Sequence, residues 1–150
     1  MILRTTFEKE IELLTDISKR SFNTDYLVGL KENDGPPNYT SVSWHKEMWT
    51  NGNLFTYLND KDNIVGGAIL FKYNKTLYVG RIFIDPKYFR KGYGYSLMID
   101  IENYFSDCNI IKLDTPVDNK RTNSLYQKLQ YTQIGVNGDE VCYEKRKNNR

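Results

Sequence analysis

Apolar residues recur along this chain at two distinct periods. Near the start, Phe7, Ile11, Leu14 and Ile17 fall three and four apart, which predicts an amphipathic helix over 7–21. Gly35-Pro36-Pro37-Asn38 breaks the pattern. A second, shorter helix is expected over 41–49, capped by Ser41 or Ser43 and ended by Asn51-Gly52-Asn53. The period then shortens to two, or gives way to continuous apolar runs. Strands are expected at 54–58, 64–73 and 76–85, joined by a polar turn at 59–63 and by the tight Asn74-Lys75, in an antiparallel meander that Pro86 stops. Helical periodicity returns over 92–106, with Leu97, Ile101, Tyr104 and Phe105 as its buried stripe. A strand at 110–114 ends before Pro116, a helix covers 119–130, and two short strands follow around Gln133-Ile134 and Val141-Cys142-Tyr143. The order is ααβββαβαββ, an α/β domain built on a mixed sheet.

The 150 residues suit one domain over 1–150, with no repeat or linker to divide it. A hydrophobic fraction of 39% supports a packed core and excludes disorder. The 21 basic and 19 acidic residues nearly cancel, so nucleic acid is not an expected partner. The basic run Lys145-Arg146-Lys147 reads as a solvated, fraying end, flexible from about 146. Cys108 and Cys142 form no CxxC, and His45 is the only histidine, so no metal site is expected. Two free thiols suit a reducing compartment, and neither precedes a helix in the way that activates a nucleophile. No signal-peptide pattern or membrane-length apolar run is present, and the reading is cytoplasmic with no membrane partner.

The chemistry concentrates where the third strand runs through Asp85-Pro86 into Arg90-Lys91-Gly92-Tyr93-Gly94-Tyr95 and then a helix. A helix start has unpaired N–H donors and a partial positive charge, so it binds phosphate. Gly92 and Gly94 allow the backbone to approach an anion, and Arg90 and Lys91 add charge. A P-loop requires Gly-Lys-[Ser/Thr], but Tyr95-Ser96 follows Gly94 here. A dinucleotide fingerprint requires a third glycine where Leu97 stands. Asp114, 20 residues after Gly94, is the one feature that suits it.

The segment from Ile82 to Met98 resembles motif A of the GNAT acetyltransferase superfamily: an apolar strand end, then [Gln/Arg]-x-x-Gly-x-[Gly/Ala], then a helix. Phe89 stands where the family has Gln or Arg, with Arg90 next to it. Asn119-Lys120-Arg121-Thr122-Asn123-Ser124-Leu125-Tyr126 with Gln130-Tyr131 is similar to the family's Asn-x-x-Ala-x-x-Leu-Tyr-x-x-x-Gly-Phe segment. The resemblance implies a central, mostly antiparallel sheet with one splayed parallel pair. It implies acetyl-CoA as co-substrate, its pantetheine arm against Ile82, Phe83 and Ile84 and its pyrophosphate on the 90–95 turn. An amine would attack the thioester directly, with Tyr126 as general acid.

Each role has a plainer reading. Tyr126 could be a core tyrosine, and Asn119 could cap its helix instead of touching the cofactor. Asp85 or Asp114 could be the base, or each could serve a turn, with water taking the proton. Tyr39, Trp44, His45 and Trp49 could wall the acceptor site or simply close the core. The implied function is N-acetylation of a primary amine on a small molecule or peptide, by a monomer or homodimer whose strand near Val141 forms an edge. The alternative is a non-catalytic acyl-CoA-binding module on the same fold.

Overall fold

The computed structural model describes residues 1–147. Its elements are β1 (Ile2–Thr5), α1 (Ile11–Phe22), α2 (Val42–Thr50), β2 (Leu54–Leu58), β3 (Ile64–Tyr73), β4 (Thr76–Ile84), α3 (Tyr93–Tyr104), β5 (Ile110–Pro116), α4 (Lys120–Lys128), β6 (Thr132–Asn137) and β7 (Glu140–Arg146), with short 3₁₀ turns at Glu8–Glu10, Asp25–Val28 and Pro86–Tyr88. The strands form one seven-stranded sheet in the order β1-β2-β3-β4-β5-β7-β6. Every neighbouring pair is antiparallel except β4 and β5.

The helices sandwich this sheet. On one face Ile11, Leu14 and Ile17 of α1 meet Leu54, Ile69 and Phe83. On the other, Leu97, Met98 and Ile101 of α3 and Tyr126 and Leu129 of α4 pack with Leu77, Ile111 and Leu113. Both spacings are those of amphipathic helices laid on a sheet.

Four expectations need correction. β1 went unread because four residues offer too little alternation. It pairs along β2, from Ile2 opposite Leu58 to Thr5 opposite Phe55. The first helix starts at Ile11 and not at Phe7, because Glu10 accepts the Phe7 amide at 2.9 Å and holds a 3₁₀ turn there. Phe7 lies outside the core, under the Arg4 guanidinium at 3.9 Å. Tyr104 leaves the expected stripe of α3 and is exposed. The edge strand at that end of the sheet is β6 and not the strand of Val141, which β5 and β6 flank on both sides.

The expected fraying end is also tied down as far as it is described. Lys145 pairs with Glu102 at 3.0 Å, and Lys147 donates to the carbonyls of Glu102 and Phe105 at 2.8 and 3.0 Å. Residues 148–150 of that expected tail lie outside the described residues.

What positions the site is the parallel pair. Thr76 to Val79 lie opposite Ile110 to Leu113, and the pairing stops there. Arg81 to Ile84 then pair only with β3, and Asp114 to Pro116 only with β7. The β3–β4 register slips between Ile69 and Leu70, so Gly80 is an extra residue at the point where the strands part. Such a bulge bends a strand and raises its twist. The result is a splayed gap lined on one side by unpaired backbone of β4.

Candidate functional site

Three concavities follow one another along this gap. The first lies over the start of α3, lined by Lys91, Gly92, Tyr95, Ser96, Arg121 and Lys128 among others. The second lies between β4 and α4, against Ile82, Phe83, Ile84 and Phe89, and shares Arg121 and Leu125 with the first. The third, about 280 Å³, opens at the splay and shares Ile82, Asn119 and Thr122 with the second. A groove thus runs from the glycine turn to the divergent strand ends.

The first concavity is an anion site by construction. Gly92, with φ +78°, caps α3 in the left-handed conformation that side chains resist. The first helical bond runs from the Ser96 amide to the Gly92 carbonyl, which leaves the amides of Tyr93, Gly94 and Tyr95 without helical partners. Lys91, Arg121 and Lys128 line this concavity, and no acidic side chain does. Arg121 was not singled out from the sequence. Its guanidinium lies 4.8 Å over the Phe89 ring, so the residue that replaces the motif's Gln or Arg instead seats a cation from α4. Two expected ligands stand aside. Arg90 is exposed and absent from the lining, and Tyr93 packs on Tyr88 at 5.9 Å. Gly94 sits beneath α4, where a Cβ would come 3.8 Å from Leu125.

At the far end, Tyr126 is 5% exposed and lines the third concavity. Its ring packs against Tyr131 and Tyr143 at 5.9 and 5.8 Å, while its hydroxyl has no hydrogen-bond partner among the described residues. Burial, and then Tyr143, push its phenol well above the ordinary range, so it keeps its proton at neutral pH. Asn119 accepts the Thr122 amide at 3.1 Å and so caps α4, while also facing the groove.

The two expected carboxylates part company. Asp85 is 2% exposed and held by Arg20 at 2.6 and 3.1 Å, and it also accepts the Lys87 amide at 3.2 Å. Burial alone would raise its carboxyl, but these bonds more than reverse that and hold it below the ordinary range. A carboxylate this acidic, outside the third concavity, is a poor base, and that expectation is corrected. Its role is structural. Arg20→Met strands a buried charge and costs about 2 kcal/mol of stability near neutrality, between the values for an exposed and a fully buried pair because Arg20 is itself 41% exposed. Asp85 has a depressed folded pKa, so this stability is present above the unfolded value and vanishes as pH falls through the folded one. Urea titrations of both proteins should therefore show a gap at pH 7 that closes under acid.

Asp114 does face the third concavity, where Tyr78 donates to it at 2.7 Å. The sequence did not mark its other carboxyl groups, which are Asp25, Asp34 and Glu140. Asp25 stands on a 3₁₀ turn that Gly29 closes at φ +121°, where a Cβ would lie 2.1 Å from the Asp118 carbonyl. Only glycine lets that turn press onto the loop before α4. Asp25 is 8% exposed, and burial pushes its carboxyl up to about 6, although Arg121 stands 3.9 Å away.

Of the two readings open for Tyr39, Trp44, His45 and Trp49, core closure fits their placement better, since none of the four lines the third concavity. Tyr39 donates to Asn23 at 2.7 Å, and Trp49 donates to the Thr6 carbonyl at 2.8 Å. Trp44 lies under Arg81 at 4.1 Å. His45 is fully buried and bonded through Nδ1 to the Ser41 carbonyl at 2.7 Å, and burial holds it below its ordinary range. These residues close the core over the sheet: α2 turns the rings of Trp44, His45 and Trp49 inward or onto its neighbours, and Tyr39, in the loop before it, packs edge-on against Phe22.

Among the described residues, no helix is long and apolar enough to cross a membrane, and no group of three His, Cys, Asp or Glu is placed to hold a metal.

The sequence profile of the acetyltransferase (GNAT) family matches residues 14–131. No curated protein matches the chain. Among solved structures, it is similar to the PaiA N-acetyltransferase of Thermoplasma acidophilum in complex with coenzyme A, at 17% identity and TM-score 0.76 over 97% of this chain and 98% of that one. It is similar to the spermidine N-acetyltransferase of Vibrio cholerae in complex with CoA and spermine, at 15% identity and TM-score 0.73 over 97% and 95%. The ribosomal-protein-S18-alanine N-acetyltransferase of Escherichia coli resembles it at 13% identity and TM-score 0.73 over 99% and 95%. At these identities the likeness is one of fold.

Proposed function

The chain belongs to the acetyltransferase (GNAT) family, and from that premise we propose that residues 1–150 form one enzyme domain that moves the acetyl group of acetyl-CoA directly to a primary amine. The observation that carries this reading is the unpartnered Tyr126 hydroxyl at the end of a continuous groove that begins on the cationic start of α3. Two of the solved structures of similar fold are complexes with coenzyme A or CoA, which supports the same co-substrate here.

The groove's own residues suit that co-substrate. Lys91, Arg121, Lys128 and the free amides of α3 would hold the phosphates. The unpaired backbone of β4 near Ile82, Phe83 and Ile84 would bond the pantetheine amides, and one N–H near Ile84 would steady the developing oxyanion. The amine nitrogen attacks the thioester carbon, so a C–N bond forms and the C–S bond breaks. The departing thiolate takes the Tyr126 proton. Positioning along the splay supplies much of the rate.

The attacking ammonium must first lose a proton. Asp25, which titrates near 6, is better matched to that task than Asp85 and lies at the junction of the second and third concavities. Asp25→Asn should lower kcat/KM about tenfold, a modest loss because the cavity opens to water that can also take the proton. The same substitution should stabilise the ligand-free protein. A carboxyl near 6 when folded and 3.8 when unfolded costs roughly 3 kcal/mol above pH 6, and nothing below the unfolded value. Melting curves at pH 8 and pH 3.5 check the sign, with a gain expected only at the higher pH.

The proposal is tested by calorimetric titration with acetyl-CoA followed by an amine screen that reads thiol release. Micromolar binding with turnover supports the enzyme. Binding without turnover of any amine supports a non-catalytic acyl-CoA-binding module, and absence of binding overturns both.

A further inference from the structure

Resting on the proposed amine acetylation, we infer that the third concavity selects an unbranched di- or polyamine, an acceptor with at least one ammonium group besides the one acetylated. Four carboxyl groups line this cavity, those of Asp25, Asp34, Asp114 and Glu140, against one cation, Arg81. Arg81 donates through one terminal nitrogen to the Pro37 carbonyl and lies over the Trp44 ring, while its other terminal nitrogen is buried without a partner among the described residues, so one positive charge offsets part of the four carboxyl groups. Asp25 faces Arg121. Asp34, Asp114 and Glu140 have no ion-pair partner among the described residues.

Two of the unpaired three stand together. The β5–β7 register sets Asp114 opposite Cys142 and Pro116 opposite Glu140, at the splayed end of the sheet. Burial, then the charges of Asp114 and Asp139, raise the Glu140 carboxyl. Like charges crowded this way are relieved by a bound cation. A metal ion is the wrong cation, because among the described residues no three such groups converge to hold one.

An independent feature marks the same cavity as a place for a ligand. Tyr126 is nineteen-twentieths buried, yet its hydroxyl, on the cavity lining, has no partner among the described residues. Among the described residues the buried polar atoms without a partner are His45 Nε2 and Arg81 Nη1, so the Tyr126 hydroxyl is instead open to the cavity and free to bond what enters it. The volume, about 280 Å³, lies at the small end for ligand sites and suits a slender aliphatic chain with charged ends. A monoamine would satisfy only one of the facing charges. A second ammonium should therefore appear as a lower KM, with an advantage that salt erodes.

The test compares acetyl transfer to 1,4-diaminobutane and to 1-aminobutane, which share a carbon chain and differ by one ammonium. The wild type should favour the diamine by roughly 30-fold in kcat/KM, most of it in KM. In Asp34→Asn/Glu140→Gln the ratio should fall below about fivefold. Titrating 1,4-diaminobutane into the CoA-loaded protein should give a binding heat for the wild type and not for the double variant, which reads affinity without turnover. Equal kcat/KM for the two amines, or a ratio that survives in the double variant, overturns the inference. A protein that binds no acetyl-CoA at all overturns the acetyltransferase proposal, and the diamine inference falls with it; the acetyl-CoA titration separates the two failures.

Discussion

Tyr126→Phe should lower kcat for acetyl transfer by 10²- to 10³-fold while leaving acetyl-CoA affinity within about twofold. The substitution deletes one oxygen. The ring keeps its contacts with Tyr131 and Tyr143, and the hydroxyl it loses has no bond to break among the described residues. Folding stability should therefore hold, because the hydroxyl opens on the cavity and is not among the buried polar atoms without a partner. A core tyrosine predicts unchanged kcat, whereas a proton donor predicts a kcat loss at constant KM for the cofactor. The wild-type phenol, held neutral by burial, carries its proton across the physiological range, so its loss should depress the whole pH–rate profile without moving its acid limb. A variant that turns over at the wild-type rate would assign the thiolate's proton to water.

How much of this was legible depended on how local each signal is. The helix starts at Ser41, Gly92 and Asn119 could be read because caps and glycine turns are written in a few adjacent residues. The meander was legible because Asn74-Lys75 fixes a hairpin by itself. The splay of β4 from β5 entered only through resemblance to a family, and its cause, the bulge at Gly80, depends on a register across strands. The carboxyl lining of the cavity was illegible for the same reason. Asp25, Asp34, Asp114 and Glu140 come from four segments that only the tertiary fold joins. For His45, Trp44 and Trp49 the sequence left two readings open, because an aromatic run on a short helix carries no mark of which face is buried. Phe89 looked like a defect in the motif. It is better understood as half of a pair, with Arg121 supplying from α4 the charge the turn lacks.

That pairing leads to the second large effect, on the cofactor. Lys91→Glu/Lys128→Glu should raise the Kd for acetyl-CoA about 100-fold. Lys91 at the end of the turn and Lys128 in the last turn of α4 line the first concavity from two different elements, together with Arg121 and beside the free amides of Tyr93, Gly94 and Tyr95. Reversing both charges turns two attractions into two repulsions toward a phosphate, and each exposed contact is worth only about 0.5–1 kcal/mol, so four such changes reach the stated size. The same reasoning fixes the salt dependence. Exposed charges are screened over about 10 Å at 0.1 M, so the wild-type affinity should fall with salt and the variant's should change little or rise. Lys46→Glu/Lys61→Glu makes the same change in net charge at exposed positions outside the lining and should leave the Kd unchanged. An equal loss in both double variants would mean that the net field of the protein, and not this concavity, attracts the cofactor. A loss confined to Lys91 and Lys128 would place the phosphates at the start of α3 and leave the rest of the groove, by its continuity, to lead the thioester to Tyr126.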